Sequence, residues 1–257
     1  RIPGVKLFMG ASTGGMCTDS ADALAWLFAT YRGIIAVHAE DGRVIDCNRA
    51  RLAAQYPDGI PVWMHRDVRD TRACVAATER AVRLARESGF DAVEIHAGHG
   101  YLISQFLSPY TNRRKDCFGG SLENRMRFMD MVIEEVMKAA GTDMAVLVKM
   151  NMRDGFRGGM EMDETMQVAK RLEQSGAHAL VLSGGFVSKA PMYVMRGRMP
   201  IRTMTHYMNC WWLKYGVRMV GKWMIPTVPF KEAYFLEDAM KFRAGIKIPL
   251  VYVGGLV

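Results

Sequence analysis

Short apolar runs alternate with amphipathic stretches along the chain. The runs are rich in β-branched residues and mostly apolar, a pattern typical of strands that are buried on both faces of a parallel sheet. Six such runs occur, at residues 4–11, 33–40, 91–98, 145–152, 178–185 and 248–255. The sequence therefore predicts six parallel strands that are connected by helices.

The stretches between the runs have the spacing of surface helices. Residues 71–89 form one such stretch, and residues 121–141 form another, which begins at a suitable N-cap, Ser121, and ends at Gly141. Repeated β-α units predict an α/β fold of the (β/α) TIM-barrel type, and six strands instead of the usual eight predict an incomplete barrel. A doubly wound sheet is the alternative, but no GxGxxG motif follows any run, which disfavours a dinucleotide-binding fold.

Composition narrows the class of protein. The chain has 257 residues, half of them hydrophobic, and a net charge of +8 carried by scattered basic residues. This charge favours solubility or attraction for phosphate-bearing small molecules over nucleic-acid binding. Five widely spaced cysteines without a CxxC pair predict a reduced, cytoplasmic setting. No apolar run reaches the ~20 residues of a membrane span, so a membrane is not expected as partner. A nucleic acid is not expected either, because the basic residues are scattered. A homo-oligomer is left open.

Polar residues stand at the carboxyl ends of the predicted strands, where barrel enzymes carry their chemistry. Lys149 interrupts an otherwise apolar run, and such a lysine is costly to bury without an anionic or electron-rich partner. Two other runs end in glycine, which lets backbone amides approach a phosphate or a flat ring. We therefore take as candidate cofactor-binding residues Lys149, Ser183, Gly184, Gly254 and Gly255.

The segment HAGHGYL carries the most specific chemistry. It follows a predicted strand and contains His96, His99 and Tyr101. A lone strand-end histidine is more often a core residue, but two imidazoles, a phenol and a lysine on the next strand end together favour an active site. The alternatives are that Tyr101 packs over a helix start and that Lys149 forms an ion pair with Glu94.

Residues 90–128, FDAVEIHAGHGYLISQFLSPYTNRRKDCFGGSLENRMRF, resemble the old yellow enzyme family of FMN-dependent ene-reductases. The similarity is to the branch with NADH:flavin oxidoreductases and dienoyl-CoA-reductase-like proteins, and it extends over residues 87–257. The resemblance implies a barrel that uses FMN and NAD(P)H to reduce the C=C bond of an enone or enoyl substrate.

The resemblance also assigns roles to single residues. His96 and His99 match the pair that hydrogen-bonds the carbonyl of the substrate, where they would stabilise the developing enolate. Tyr101 matches the proton donor, and a phenol is a sensible acid for a strongly basic α-carbon. Lys149 matches the basic residue beside the pyrimidine edge of the flavin, and Gly254–Gly255 match part of the phosphate-binding end.

Residues 1–86 resemble a different family, the dihydroorotases of the amidohydrolase superfamily. The resemblance matches Lys6 to a metal-bridging lysine and His38 to a metal-binding histidine. The family's other ligands are absent, and two ligands cannot hold a catalytic metal pair. The sequence thus predicts a chimera of a 1–86 fragment and an 87–257 flavin-enzyme portion packed as one sheet, with strand 33–40 beside strand 91–97. A metal-dependent cyclic amidohydrolase and an inactive hybrid remain the alternatives.

The segment 205–230 is rich in tryptophan and basic residues. Two interpretations are open for it, a helix on a membrane surface and an excursion over the barrel mouth that closes on substrate. Pro226, Pro229 and interspersed polar residues favour the excursion.

Overall fold

A computed structural model describes residues 4–10, 16–224 and 227–256 of the chain. The described residues divide into two compact units. The first contains the chain up to Val93 together with Val136–Ala145, and the second contains Glu94–Glu135 and the chain from Val146 onward. The candidate residues from His96 to Gly255 therefore all lie in the second unit, whereas Lys6 and His38 lie in the first.

The first unit is built on a two-stranded parallel sheet. Strand β1 (Gly4–Phe8) pairs with strand β2 (Ile34–His38), and Lys6 lies opposite Ala36 in the register. The helical segments of this part of the chain are α1 (Ala21–Thr30), α2 (Gly42–Gln55), the 3-10 helix η1 (Val62–Met64), α3 (His65–Val68) and α4 (Thr71–Glu87). The parallel pairing of the first two predicted strands is confirmed, although residue 11 of the first lies outside the described residues.

The segment between β2 and β3 forms a small core of its own. Asp41 caps the start of α2 by accepting hydrogen bonds from two backbone N–H groups, and Asp70 caps α4 by accepting one from Ala73. Helices α2, α3 and α4 bury a cluster of apolar side chains consisting of Ile45, Leu52, Val68 and Ala73. This part of the chain is therefore more than one crossover helix laid across a sheet.

The expectation of one continuous sheet is wrong for the described residues. Their strands form two hydrogen-bonded sheets, one of β1 and β2 and one of four strands, and β2 does not pair with β3 (Ala92–His96). A single crossover helix over 70–88 would have connected neighbouring strands directly. Instead, four helical segments with their own buried cluster separate β2 from β3.

The four-stranded sheet has the order β3-β4-β5-β6, which is the order of the strands along the chain. Strand β4 (Ala145–Asn151) pairs in parallel with β5 (Ala179–Ser183), and β5 pairs in parallel with β6 (Leu250–Tyr252). The helices of this part of the chain are α5 (Leu102–Leu107), α6 (Leu122–Ala140), α7 (Met162–Gln174), α8 (Pro191–Met195), α9 (Ile201–Met204), α10 (Trp211–Met224) and α11 (Leu236–Gly245). All six predicted strands are thus present, in an α/β fold.

Burial along these strands differs from the expectation. Only β5 is buried at every position, whereas in β3 Glu94 and His96 are exposed and in β4 Lys149 is half-buried between the buried Val148 and Met150. A strand that is exposed at alternate residues has one face without a covering layer. Glu94, His96 and Lys149 are therefore accessible on the side of the sheet that they share.

Helix α6 follows the predicted boundaries closely. The Ser121 hydroxyl accepts a hydrogen bond from the backbone N–H of Asn124, and Gly141 adopts a left-handed φ of +66° after the last helical residue. These are the capping roles expected for serine and glycine. Within the part of the chain that the structure describes, no helix is long and apolar enough to cross a membrane.

Candidate active site

The two imidazoles and the phenol of HAGHGYL lie together at the end of β3. The ring centroids of His96 and His99 are 5.1 Å apart, and those of His96 and Tyr101 are 4.9 Å apart. Tyr101 and His96 are exposed, whereas His99 is partly buried. Two imidazole rings and one phenol group, which can act as an acid, therefore lie together on one small surface.

The backbone of this loop is strained in a way that places His99. His99 has a φ of +57°, a left-handed conformation that is uncommon for a residue with a side chain. The flanking glycines allow close packing, since a Cβ at Gly98 would come 2.8 Å from Asn151 Oδ1 and one at Gly100 would come 2.4 Å from the Phe186 ring. The conformation of the loop is therefore fixed by contacts with the ends of the neighbouring strands.

His96 has a defined tautomer in its neutral form. Its Nδ1 accepts a hydrogen bond from the backbone N–H of Gly98 at 3.3 Å. A neutral imidazole whose Nδ1 accepts carries its proton on Nε2. His96 is therefore set up to donate a hydrogen bond through Nε2.

His99 is held by Ser183. Its Nε2 lies 2.8 Å from the Ser183 hydroxyl oxygen, and Ser183 is fully buried at the end of β5. Burial lowers the pKa of His99, and the positive charge of Lys149 lowers it further. His99 is thus a neutral imidazole at neutral pH. If the serine hydroxyl donates to Nε2, the ring proton lies on Nδ1.

Lys149 lies beside this loop on β4. Its backbone carbonyl accepts a hydrogen bond from the N–H of Ala97 at 2.8 Å, so Lys149 adjoins the residue that follows His96. The expected alternative, an ion pair with Glu94, does not occur, and among the described residues no carboxylate lies within ion-pair distance of Lys149. A half-buried ammonium without an internal anion fits an anionic or electron-rich ligand.

The glycines at the ends of β5 and β6 are covered by aromatic rings. A Cβ at Gly184 would come 3.0 Å from the Phe235 ring, and one at Gly254 would come 2.7 Å from the same ring. Gly255, with a φ of +73°, lies similarly close to Tyr234. These glycines permit close packing of rings in the structure. Their contact with a cofactor phosphate stays a prediction.

Asn151 is a site residue that the sequence analysis did not select. Its Oδ1 accepts a hydrogen bond from the backbone N–H of His99, and its Nδ2 donates to Asp154 Oδ1 and to the Gly185 carbonyl, each at 2.9 Å. Asp154 in turn accepts from the Ser108 hydroxyl at 2.6 Å. The only sequence signal was that Asn151 shares a strand face with Lys149 two positions earlier.

The residues of the weaker alternative, Lys6 and His38, form a different arrangement in the first unit. Lys6 Nζ lies 5.3 Å from the centroid of the Phe8 ring. His38 Nε2 is 2.8 Å from Glu40 Oε2, and Arg69 binds the same carboxylate. A cation beside His38 opposes metal binding there. Within residues 4–10, 16–224 and 227–256, no group of three or more His, Cys, Asp or Glu residues is placed to hold a metal ion.

Comparison with known proteins places the chain in a family. Residues 46–218 match the sequence model of the NADH:flavin oxidoreductase / NADH oxidase family. This match covers more than half of the chain, and the chain therefore belongs to that family. It also includes residues 46–86, which the sequence resemblance had assigned to a dihydroorotase-like fragment.

Two curated relatives support this assignment. The chain is 39% identical over 183 residues to the 4,4'-dithiodibutanoate disulfide reductase of Rhodococcus erythropolis, covering 71% of this chain and 45% of the relative. It is 41% identical over 118 residues to an NADPH dehydrogenase of Listeria welshimeri, covering 46% of this chain and 34% of the relative. The chain thus spans less than half the length of each.

A solved structure shows the same fold. The complex of 2-naphthoyl-CoA reductase with 2-naphthoyl-CoA matches 69% of this chain and 22% of its own, with a TM-score of 0.52 and 26% identity. The chain accordingly has the α/β fold of the barrel type found in this class of flavin enzymes.

Proposed function

We propose that the chain is the catalytic part of an FMN-dependent oxidoreductase that uses NAD(P)H to reduce a C=C bond conjugated to a carbonyl group. The observation that carries the proposal is the cluster of His96, His99 and Tyr101 with Lys149 on the adjoining strand. Membership of a flavin oxidoreductase family and an NADPH dehydrogenase relative support the choice of cofactors.

The residues present fit the ring end of a flavin. Lys149 offers a half-buried cation without an internal carboxylate partner at the strand end, which suits the electron-rich pyrimidine edge of FMN. The fit is weaker at the predicted phosphate end, where Gly184, Gly254 and Gly255 are covered by Tyr193, Tyr234 and Phe235. FMN, when bound, supplies the hydride that the reduction needs.

The two histidines bind and polarise the substrate. His96 donates from Nε2, since its Nδ1 accepts from the Gly98 amide. His99 donates from Nδ1 when the Ser183 hydroxyl donates to its Nε2. Two imidazole donors to one carbonyl oxygen stabilise the negative charge that develops on it, and each such donor contributes about 3–4 kcal/mol in comparable sites.

Tyr101 supplies the proton. Its hydroxyl is on an exposed ring that contacts His96, so it faces the same surface as the imidazole donors. Protonation of the α-carbon completes the reduction, and a positioned general acid typically contributes 10²–10⁴-fold.

A second substrate class is a disulfide, because the Rhodococcus relative is named as a disulfide reductase. A disulfide has no carbonyl oxygen for the histidines to polarise. Replacing either histidine with alanine would therefore reduce enone turnover but leave disulfide turnover nearly unchanged.

The test begins with flavin binding by the purified chain. FMN fluorescence titration should give saturable binding that is weakened on the order of tenfold in Lys149→Ala, about 1.4 kcal/mol. The control is Lys170→Ala, an exposed lysine on α7. Reduction with NAD(P)H followed by 2-cyclohexenone should then reoxidise the flavin. Unchanged affinity in Lys149→Ala, or failure of every enone to reoxidise the flavin, would refute the proposal.

A further inference from the structure

The excess of positive over negative charge in the chain arises in one segment. Residues 174–231 contain eight Lys and Arg residues and no Asp or Glu. The rest of the chain contains 26 Lys and Arg residues and 26 Asp and Glu residues, so this segment accounts for the whole net charge of +8. It includes α8, α9 and α10. A segment of this composition attracts an anionic partner and not a neutral one.

Helix α10 presents apolar side chains to solvent. Trp212, Tyr215, Met219 and Trp223 are all exposed, and their spacing of three and four residues puts them on one face of the helix. Trp211 at the helix start and Tyr207 just before it are exposed as well. We refer to these six residues as the aromatic face. Contiguous exposed apolar surface of this kind marks an interaction site.

Two cations of α10 bind to the segment that precedes the helix. Arg218 Nε donates to the Thr205 hydroxyl at 2.9 Å, and Lys214 Nζ donates to the His206 carbonyl at 3.0 Å. Gly221 lies so close to Ile201 of α9 that an added Cβ would come within 3.1 Å of its side chain. Helix α10 therefore exposes apolar side chains that an ordinary surface helix would bury.

We propose that the aromatic face binds the surface of an anionic phospholipid membrane. Tryptophan and tyrosine rings prefer the headgroup level of a bilayer, where an apolar ring with a polar edge is accommodated best. Exposed cations occur in the same segment at Arg198, Arg202 and Lys231, and they complement anionic headgroups. At 14 residues α10 is shorter than the ~20 of a spanning helix, so it lies in the plane of the interface.

Two other occupants of the aromatic face are less favourable. A second copy of the chain in a two-fold dimer would bring two segments of charge +8 against each other, and like charges across an interface cost free energy. A segment that closed over a neutral enone, as the sequence pattern suggested, would leave its net positive charge without an anionic partner.

The experiment measures cosedimentation of the chain with sucrose-loaded vesicles of phosphatidylcholine, with and without phosphatidylglycerol. The chain should bind the anionic vesicles at least tenfold more tightly than the neutral ones, with affinity falling as salt rises. The double variant Trp212→Gln/Trp223→Gln should lose at least tenfold in affinity. Its matched control is Trp63→Gln, because Trp63 on η1 is 75% exposed and Trp223 is 87% exposed.

Charge is tested separately. Arg198→Glu/Arg202→Glu should weaken anionic-vesicle binding severalfold, whereas Arg66→Glu in the first unit should not. Brominated lipids should quench the tryptophan fluorescence of the wild-type chain, since three of the five tryptophans lie on the aromatic face.

Three outcomes would overturn the proposal. The first is the absence of vesicle binding. The second is binding that Trp63→Gln weakens as much as the α10 double variant. The third is a concentration-dependent dimer in analytical ultracentrifugation that Trp212→Gln/Trp223→Gln abolishes, which would assign the aromatic face to a second copy.

Discussion

The side-chain oxygen of Asn151 accepts a hydrogen bond from the backbone N–H of His99 at 2.9 Å. This bond joins the end of β4 to the loop after β3 and holds His99 at its positive φ of +57°. The amide nitrogen of Asn151 simultaneously donates to Asp154 and to the Gly185 carbonyl. Asn151 therefore connects three strand ends and determines where the His99 imidazole lies.

Replacement of Asn151 with alanine should destabilise the chain by about 3 kcal/mol. The change leaves the Asp154 carboxylate, the Gly185 carbonyl and the His99 amide without this partner in a buried setting, and each such loss costs about 1–3 kcal/mol without full additivity. Urea unfolding followed by circular dichroism measures the effect. Asn209→Ala, at an exposed position, should change stability by less than about 0.5 kcal/mol. Equal effects of the two substitutions would contradict this role of Asn151.

Gly100 and Gly120 provide a matched pair for separating backbone strain from steric contact. Both have a φ of +82°, but a Cβ at Gly100 would come 2.4 Å from the Phe186 ring, whereas one at Gly120 meets nothing within 4 Å. Gly120→Ala should therefore cost about 1–2 kcal/mol for the left-handed conformation alone. Gly100→Ala should cost about 1–3 kcal/mol more, because the Phe186 ring must move. The free energies of unfolding of the two variants test this prediction. An equal loss of stability in Gly100→Ala and Gly120→Ala would show that the Phe186 ring moves away without cost.

The sequence predicted the elements better than their assembly. Apolar runs located all six strands, although only β5 is buried at every position, and Ser121 and Gly141 marked the ends of α6 correctly. The expected pairing of β2 with β3 does not occur, and the connection between these strands contains a local cluster around Leu52 and Val68. Such a cluster leaves no simple period in the sequence.

The sequence could predict only those residues of the candidate site whose type and local spacing indicate their chemistry. His96, His99 and Tyr101 were found as a spaced motif, and the structure places their rings together. Asn151 could not be selected, since its role depends on contacts 52 residues away in the chain. Ser183 was selected as a possible cofactor contact, but its hydroxyl lies against His99, a partner 84 residues distant.

The stability of the chain should fall in acid through His99. Burial and the Lys149 charge lower the pKa of this imidazole from 6.5 in the folded state. Between the lowered value and 6.5 the unfolded chain binds more protons, so stability increases with pH in that window. The stability that the neutral His99 side chain contributes is fully present above about pH 6.5 and is lost as pH falls through the lowered pKa.

In His99→Asn, urea midpoints measured from pH 7 to pH 5 should decline less than in the wild type, whereas the exposed-site control His206→Asn should follow the wild-type profile. A decline in His99→Asn as steep as in the wild type would contradict the assignment.

Ligand binding and proton transfer should separate within HAGHGYL if the flavin is bound and reducible. His96→Ala or His99→Ala removes a donor to the ligand oxygen, so binding of a phenolic ligand should weaken and enone reduction should lose about 3–4 kcal/mol of transition-state stabilisation. Tyr101→Phe keeps both imidazole donors and removes only the acid. It should slow reoxidation of the reduced flavin by an enone about 10²-fold or more while leaving ligand affinity nearly unchanged. Spectral titration with the phenol and stopped-flow reoxidation measure the two quantities, with Tyr207→Phe as a control on an exposed tyrosine away from the motif. Equal loss of ligand affinity in all three variants would mean that the motif maintains the loop and does not bind the substrate.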